Sequence, residues 1–183
     1  YGLWRIRRKL QQRFLHEKPD LFIGVDAPDF NFGLEENLRQ QGIRTVHFVC
    51  PSIWAWRAHR VHTIRRSADH VLCLFPFEPA LLEQHGIAAT YVGHPLANVF
   101  PREPDRKAAR QQLQLPQDAE VLAVLPGSRD SEIAYLAPRF LETVRLLRQR
   151  RPELHTVLPA ATGYCARLRS LVQAAGLEQV ITV

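Results

Sequence analysis

Methionine is missing altogether from the 183 residues, and cysteine is scarce, with only Cys50, Cys73 and Cys165. Three widely spaced cysteines in apolar surroundings argue against a disulfide scaffold and fit structural thiols in a reducing compartment. No apolar run approaches the roughly 20 residues needed to span a bilayer. The visible start lacks the basic, apolar and cleavage regions of a signal peptide, although a start inside a longer chain would hide one. No His, Cys and Asp set has metal-ligand spacing, so neither structural zinc nor any other metal or cofactor is expected. Gly-x-Ser-x-Gly, the lysine-bearing P-loop and G-x-G-x-x-G are also absent, which counts against a serine hydrolase, an ordinary nucleoside triphosphatase and a dinucleotide fold. With no initiating methionine and a stop inside the apolar run Val180-Ile181-Thr182-Val183, the chain is expected to be a segment of a longer protein. Strands and ligand contacts are then expected to be missing at both ends.

What is present reads as globular. Hydrophobic residues make up 46% and aromatics 9%, too much apolar surface for a disordered chain. The formal charge of +6 comes from 24 basic against 18 acidic residues, and all but three of the basic ones are arginine. Arg5, Arg7, Arg8, Lys9 and Arg13 interleave with Leu3, Trp4, Ile6, Leu10 and Phe14, so a helix there can lie on an anionic membrane surface. Arg57, Arg60, Arg65 and Arg66 with His59 and His62 form a second cluster. The same charges would attract nucleic acid, but zinc-finger spacing, an aromatic RNA-binding motif and a KH-type loop are all absent, so none is expected. A solvated basic face is the plain alternative for both clusters.

Hydrophobic spacing predicts an α/β chain. A helix over 1–17 stops before Lys18-Pro19, because the residue before proline is driven out of helical geometry. Strands are expected at 21–25, 45–49, 71–74 and 89–92, with helices at about 33–41, 59–67 and 76–85, the last with Glu78 and Glu83 turned outward. Alternation of short strands and helices predicts a doubly wound parallel sheet. Residues 1–97 form the first domain and 98–105, carrying Pro101 and Pro104, a linker. Residues 106–183 then begin a second α/β unit, with strands at 121–125, 154–158 and 180–183 and helices at 106–114, 133–150 and 166–175.

Two loops attract chemistry. Asp26-Ala27-Pro28-Asp29-Phe30-Asn31 follows the carboxyl end of the first strand, where open α/β sheets bind ligands. Asp26 there can accept a proton from a sugar hydroxyl, and Asp29 can either orient it or simply satisfy backbone amides. Asn31 is a candidate for hydrogen bonding to an acceptor. Leu125-Pro126-Gly127-Ser128-Arg129 again links a strand to a helix. Gly127 permits close backbone approach, Ser128 can cap the helix while donating to an anion, and Arg129 offers a fork of donors for phosphate. Glu132 can reach back to Ser128 or Arg129, with helix capping as its plainer role. Trp54 and Trp56 either line a pocket or close the core, and His94 sits in a constrained turn before Pro95.

Four blocks taken in order, Ile23-Gly24-Val25-Asp26-Ala27-Pro28-Asp29-Phe30-Asn31, Pro51-Ser52-Ile53-Trp54-Ala55-Trp56-Arg57, Gly93-His94-Pro95-Leu96 and Leu125 to Arg129 with Glu132-Ile133, resemble the lipid-A-disaccharide synthase family across essentially the whole chain. The resemblance implies an inverting glycosyltransferase of GT-B-like architecture, with two Rossmann-like domains facing across a cleft, both incomplete in this chain. It implies transfer of 2,3-diacylglucosamine from its UDP donor to the 6-hydroxyl of 2,3-diacylglucosamine 1-phosphate (lipid X), giving the disaccharide 1-phosphate and UDP. By the matching positions Asp26 is the general base, and Arg129 with Ser128 and Gly127 holds the donor diphosphate. Asp29, Asn31, Trp54, Trp56 and His94 remain acceptor or cleft candidates. No metal or cofactor is implied. UDP-2,3-diacylglucosamine, lipid X and an anionic membrane are the implied partners, with a homo-oligomer left open, at the cytoplasmic face of the inner membrane.

Departures from the family pattern are equally visible. The glycine-rich Gly-Glu-x-Ser-Gly-Asp block and the carboxyl-terminal part of the nucleotide pocket are not in this stretch, and Asn98 stands where relatives often carry aspartate. Two rival readings stay open: another UDP-sugar enzyme of this architecture with a soluble acceptor, and a noncatalytic basic domain that binds anionic membrane or nucleic acid.

Overall fold

The computed structural model describes residues 2–183. The chain divides into two compact units, Tyr1–Arg102 and Glu103–Val183, at a point inside the proline-bearing stretch 98–105.

The first unit runs α1 (Gly2–Glu17), β1 (Leu21–Val25), α2 (Pro28–Gln40), β2 (Arg44–Phe48), a 3-10 turn (Ala58–Arg60) leading into α3 (Val61–Ser67), β3 (His70–Cys73), α4 (Glu78–Glu83) and β4 (Ala89–Tyr91). The four strands form one parallel sheet in the order β1-β2-β3-β4. Strand order therefore ascends without reversal among the described residues. Helices α2, α3 and α4 supply Phe32, Val61, Ile64 and Leu82 to a single core with Val71 and Cys73. Gly24, Thr45, His47, Val71 and Cys73 point into that covered face. On the other face Leu21, Ile23 and Val25 are 46%, 51% and 60% exposed.

Helix α1 uses only part of its apolar content for packing. Leu10, Phe14 and Leu15 lie against Leu34, Leu38 and Ile43, and the Phe14 and Phe22 rings meet edge to face at 5.3 Å. Leu3, Trp4 and Ile6 stay exposed. Asp69 ties the opening edge of the sheet together, accepting from Thr45 N at 2.9 Å and Arg39 Nε at 2.6 Å. Partial burial pushes its carboxyl pKa up, but the Thr45 N–H and the Arg39 guanidinium outweigh that and hold it below the ordinary value.

The second unit contains α5 (Arg106–Gln112), β5 (Val121–Ala123), α6 (Asp130–Arg150), β6 (His155–Val157), α7 (Cys165–Ala174) and β7 (Ile181–Thr182). Its three strands are parallel in the order β5-β6-β7. Asp105 caps α5 by accepting from Ala108 N at 2.9 Å. Ile133, Ala137, Leu141 and Val144, spaced by three and four residues, turn one side of α6 onto Leu158, Leu168, Val172 and Ile181.

Three differences from the expected elements affect the site. Helix α2 starts at Pro28 rather than near Gly33, because proline suits the first helical position. Helix α6 starts at Asp130 rather than Ile133. Glu78 points inward, not outward: it is 1% exposed and accepts from Phe75 N at 3.0 Å.

Candidate functional site

In the first unit the chain leaves the sheet through a constrained corner. Asp26 N still donates to Phe48 O at 2.9 Å, continuing the β1–β2 ladder by one rung. Asp26 and Ala27 then both adopt left-handed backbone, with φ of 49° and 42°, before Pro28 opens α2. Two consecutive non-glycine residues in that region cost on the order of 1 kcal/mol or more each, so the surroundings must hold them there. The backbone N–H groups of Phe30 and Asn31 both donate to Ala27 O at 2.9 Å. Asn31 Nδ2 donates to Val25 O at 3.1 Å and Asp26 O at 2.7 Å. Asn31 is 9% exposed, so its amide is spent on backbone.

The corner leaves the Asp26 side chain exposed at the carboxyl edge of the sheet, and its carboxylate has no hydrogen-bonding or ion-pair partner among the described residues. Beside it lies an apolar groove of about 440 Å³ lined by Leu3, Trp4, Arg7, Ala27, Pro28, Asp29 and Phe30. Asp29, in the first turn of α2, is ion-paired to Arg60. A larger groove, about 850 Å³, carries Glu36, Arg39, His62, Arg65, Arg66 and Asp69. It opens at the opposite, amino edge of the strands. Its charges are largely spent on each other, through Arg39 with Asp69 and Arg66 with Glu36.

The remaining candidates of this unit have separate settings. Trp54 meets Phe77 edge to face at 5.4 Å, and Phe77 stacks on Phe75 at 5.8 Å. The Arg57 guanidinium lies 4.1 Å from the centre of the Trp56 ring. Both tryptophans are half exposed or more, so they line the surface rather than the core. His94 Nδ1 accepts from Leu96 N at 3.2 Å and caps the 3-10 turn Pro95–Asn98.

Beneath β1 and β2 the structure reveals a pair that single-sequence reasoning missed. Glu35 Oε1 and His47 Nδ1 are 2.7 Å apart, and both side chains are fully buried. Phe32 packs on the His47 ring with centroids 4.6 Å apart. Glu35 Oε2 and His47 Nε2 have no partner. The available signal was Gly24 in an otherwise bulky strand, since the Glu35 carboxylate occupies the space of its absent side chain. Cys50, Cys73 and Glu78 also gather within 4.8 Å, all buried. A hydrogen bond with Cys73 and burial push the Cys50 thiol far up, which keeps it protonated.

In the second unit the turn after β5 encloses a carboxylate. Glu132 Oε2 accepts from Ser128 N at 2.9 Å and Arg129 N at 3.2 Å, while Arg129 Nη1 donates to Glu132 Oε1 at 2.8 Å. Helix α6 is therefore capped by Glu132, with Arg129 rather than Ser128 at the cap position. Gly127 has φ 109°, and a Cβ there would fall 2.6 Å from Glu132 Cβ. Contact with Ser128 N–H, then with the Arg129 guanidinium, lowers the Glu132 carboxyl pKa. Arg129 is 78% exposed, and its guanidinium keeps donors that Glu132 does not use. The two backbone donors of the turn are thus taken by an internal carboxylate, which leaves the remaining Arg129 donors as the ones open to an external anion.

Comparison with known proteins agrees with this architecture. The chain is 63% identical over 178 residues to a lipid-A-disaccharide synthase of Verminephrobacter eiseniae, covering 97% of this chain and 46% of that protein. It is 58% identical over 173 residues to the enzyme of the same name from Albidiferax ferrireducens, covering 94% and 44%. The chain thus spans just under half the length of these relatives. Among solved structures, the S. aureus MnaA–UDP complex aligns at TM-score 0.64 and 14% identity, covering 99% of this chain and 53% of that one. A putative UDP-N-acetylglucosamine 2-epimerase from Listeria monocytogenes aligns at 0.60 and 13%, covering 99% and 50%. At such identities the likeness concerns the fold alone, that of parallel α/β units. The model of the lipid-A-disaccharide synthetase family matches residues 1–181, and the chain belongs to that family.

Proposed function

We propose that the full-length protein transfers 2,3-diacylglucosamine from UDP to the 6-hydroxyl of lipid X. The observation that carries this reading is an exposed, unpartnered Asp26 carboxylate at a strand end, bordered by an apolar groove. A carboxylate placed there can take the proton of a hydroxyl nucleophile, and an apolar groove beside it suits an acylated sugar better than a soluble one.

In this reading the 6-hydroxyl oxygen attacks the anomeric carbon of the donor while Asp26 accepts its proton. The bond from that carbon to the β-phosphate oxygen breaks on the opposite face, so configuration inverts and UDP departs with the bonding pair. Negative charge grows on the diphosphate, and stabilisation is electrostatic. Arg129 supplies donors to that charge, and the Gly127-Ser128 backbone allows close approach. The first unit then serves the acceptor and the second the nucleotide sugar, with 98–105 as linker. Trp54, Trp56 and His94 stay acceptor or cleft residues. Asp29 acts through Arg60, holding the loop that follows the tryptophans.

The substrates are membrane lipids, and α1 offers a docking face. Leu3, Trp4 and Ile6 are exposed beside Arg5, Arg8 and Lys9, whereas Leu10 is used for packing. No described helix is long and apolar enough to cross a membrane. Peripheral attachment at the cytoplasmic face of the inner membrane follows from this reading.

The test gives full-length protein, with Asp26→Ala and Arg129→Ala variants, UDP-2,3-diacylglucosamine and lipid X, and measures disaccharide 1-phosphate. Asp26→Ala retains donor binding and loses turnover, whereas Arg129→Ala weakens donor binding. Normal turnover by Asp26→Ala removes the base assignment.

A further inference from the structure

We infer that Asn31 is a positioning residue for Asp26 rather than a group that binds substrate. The inference rests on the reading of Asp26 as base. The last residue of β1, Val25, and Asp26 itself both present their carbonyls to one side-chain amide, at 3.1 Å and 2.7 Å. Those carbonyls flank the point where the backbone turns into the left-handed region, at φ 49° for Asp26 and 42° for Ala27. An amide nitrogen carries two donor hydrogens, and here each has one acceptor. The side chain is 9% exposed and belongs to the first turn of α2, a 13-residue helix anchored by the buried Phe32, Leu34 and Leu38. Asn31 thus couples a rigid element to the peptide groups that set the direction of the Asp26 carboxylate.

The chemistry of the amide makes this specific. Aspartate at position 31 has the same shape but, once ionised, no donor, and sets two carbonyl dipoles against a negative charge. Alanine leaves both carbonyls unpaired at a corner where the backbone conformation is intrinsically unfavourable. In either case the corner relaxes toward ordinary φ values, and the carboxylate swings away from its place. A displacement of about 1 Å at a reacting group can cost ~100-fold in rate.

The experiment uses full-length protein and separates positioning from folding. Asn31→Ala and Asn31→Asp are expected to lower kcat about 10- to 100-fold while KM for the UDP donor changes less than about twofold, because the acceptor base and not donor binding is disturbed. Ala27→Gly is placed in each background. Glycine takes positive φ without steric cost, so it is expected to return about tenfold of the lost kcat in Asn31→Ala. A purely structural loss would lower the amount of folded enzyme without this pattern, so the folded fraction of each variant is measured by circular dichroism and thermal unfolding. Wild-type kcat in Asn31→Ala, with Asp26→Ala inactive, overturns the positioning role alone. A loss that Ala27→Gly does not restore also overturns it. Wild-type turnover in Asp26→Ala instead defeats the base reading on which the inference stands.

Discussion

The Glu35 carboxylate lies where a side chain on Gly24 would be, so that strand β1 passes against an acidic group with no room for a methyl. The buried Glu35–His47 contact at 2.7 Å thereby depends on a residue without a side chain in the neighbouring strand.

Gly24→Ala is therefore expected to destabilise the first unit by about 1–3 kcal/mol, the usual cost of overfilling a packed site. All three tryptophans, Trp4, Trp54 and Trp56, lie in that unit, so urea titration followed by tryptophan emission reports on it alone. Adding Glu35→Ala removes the overlap and recovers part of the loss; a Gly24→Ala protein with unchanged midpoint contradicts the packing.

Glu132 gives a pH signature at the start of α6. Its folded pKa lies below the ordinary carboxylate value of 4.5, so its capping contribution is complete above that value and is lost as pH falls through the lower, folded one. Protection of the Ser128 and Arg129 amides, taken relative to their intrinsic exchange rates, is expected to fall on acidification below about pH 4.5 in the native protein. In Glu132→Gln, exchange at these two amides is already faster at neutral pH and shows no such step.

Gly127→Ala sets a Cβ against Glu132 and forces φ 109° on a residue that resists it. A cost of ~1–2 kcal/mol in the shaped turn translates to roughly tenfold weaker UDP binding, read by calorimetry on full-length enzyme. Unchanged UDP affinity separates the turn from the nucleotide site.

Thiol reactivity distinguishes the cysteines. Cys50 and Cys73 are buried, Cys165 is partly exposed, and the Cys50 proton is held by Cys73 and by burial. Ellman's reagent is expected to modify Cys165 first in the native protein and the other two only on unfolding. Fast modification of all three contradicts the buried placement.

Much of the fold is written in local patterns. Leu21–Val25 and Val121–Ala123 stand out because short apolar runs bounded by polar turns have few other uses. The start of α2 was harder, since Asp26-Ala27-Pro28-Asp29 has loop composition although Pro28 is also a helix-opening signal. The orientation of Glu78 depends on a backbone amide three residues earlier, which helical periodicity alone does not weigh. Asp26 and Arg129 were visible as polar residues in the loops that follow β1 and β5. Glu35 with His47 was not, because twelve residues and a strand register separate the two before the fold joins them. Asn31 was visible as a polar residue near Asp26, but which way its amide turned required the backbone corner itself.

The ascending order of β1 to β4 has a practical side. With α2, α3 and α4 gathered on one face, Leu21, Ile23 and Val25 form an apolar row on the other, and Leu125, two residues past β5, is 65% exposed. For the bench this makes the 183-residue stretch a sticky reagent. Purified by itself, it calls for a solubilising fusion or mild detergent, and assays of binding to greasy ligands need a control in which that row is made polar, so that wetting of the bare sheet is not mistaken for recognition at the Asp26 corner.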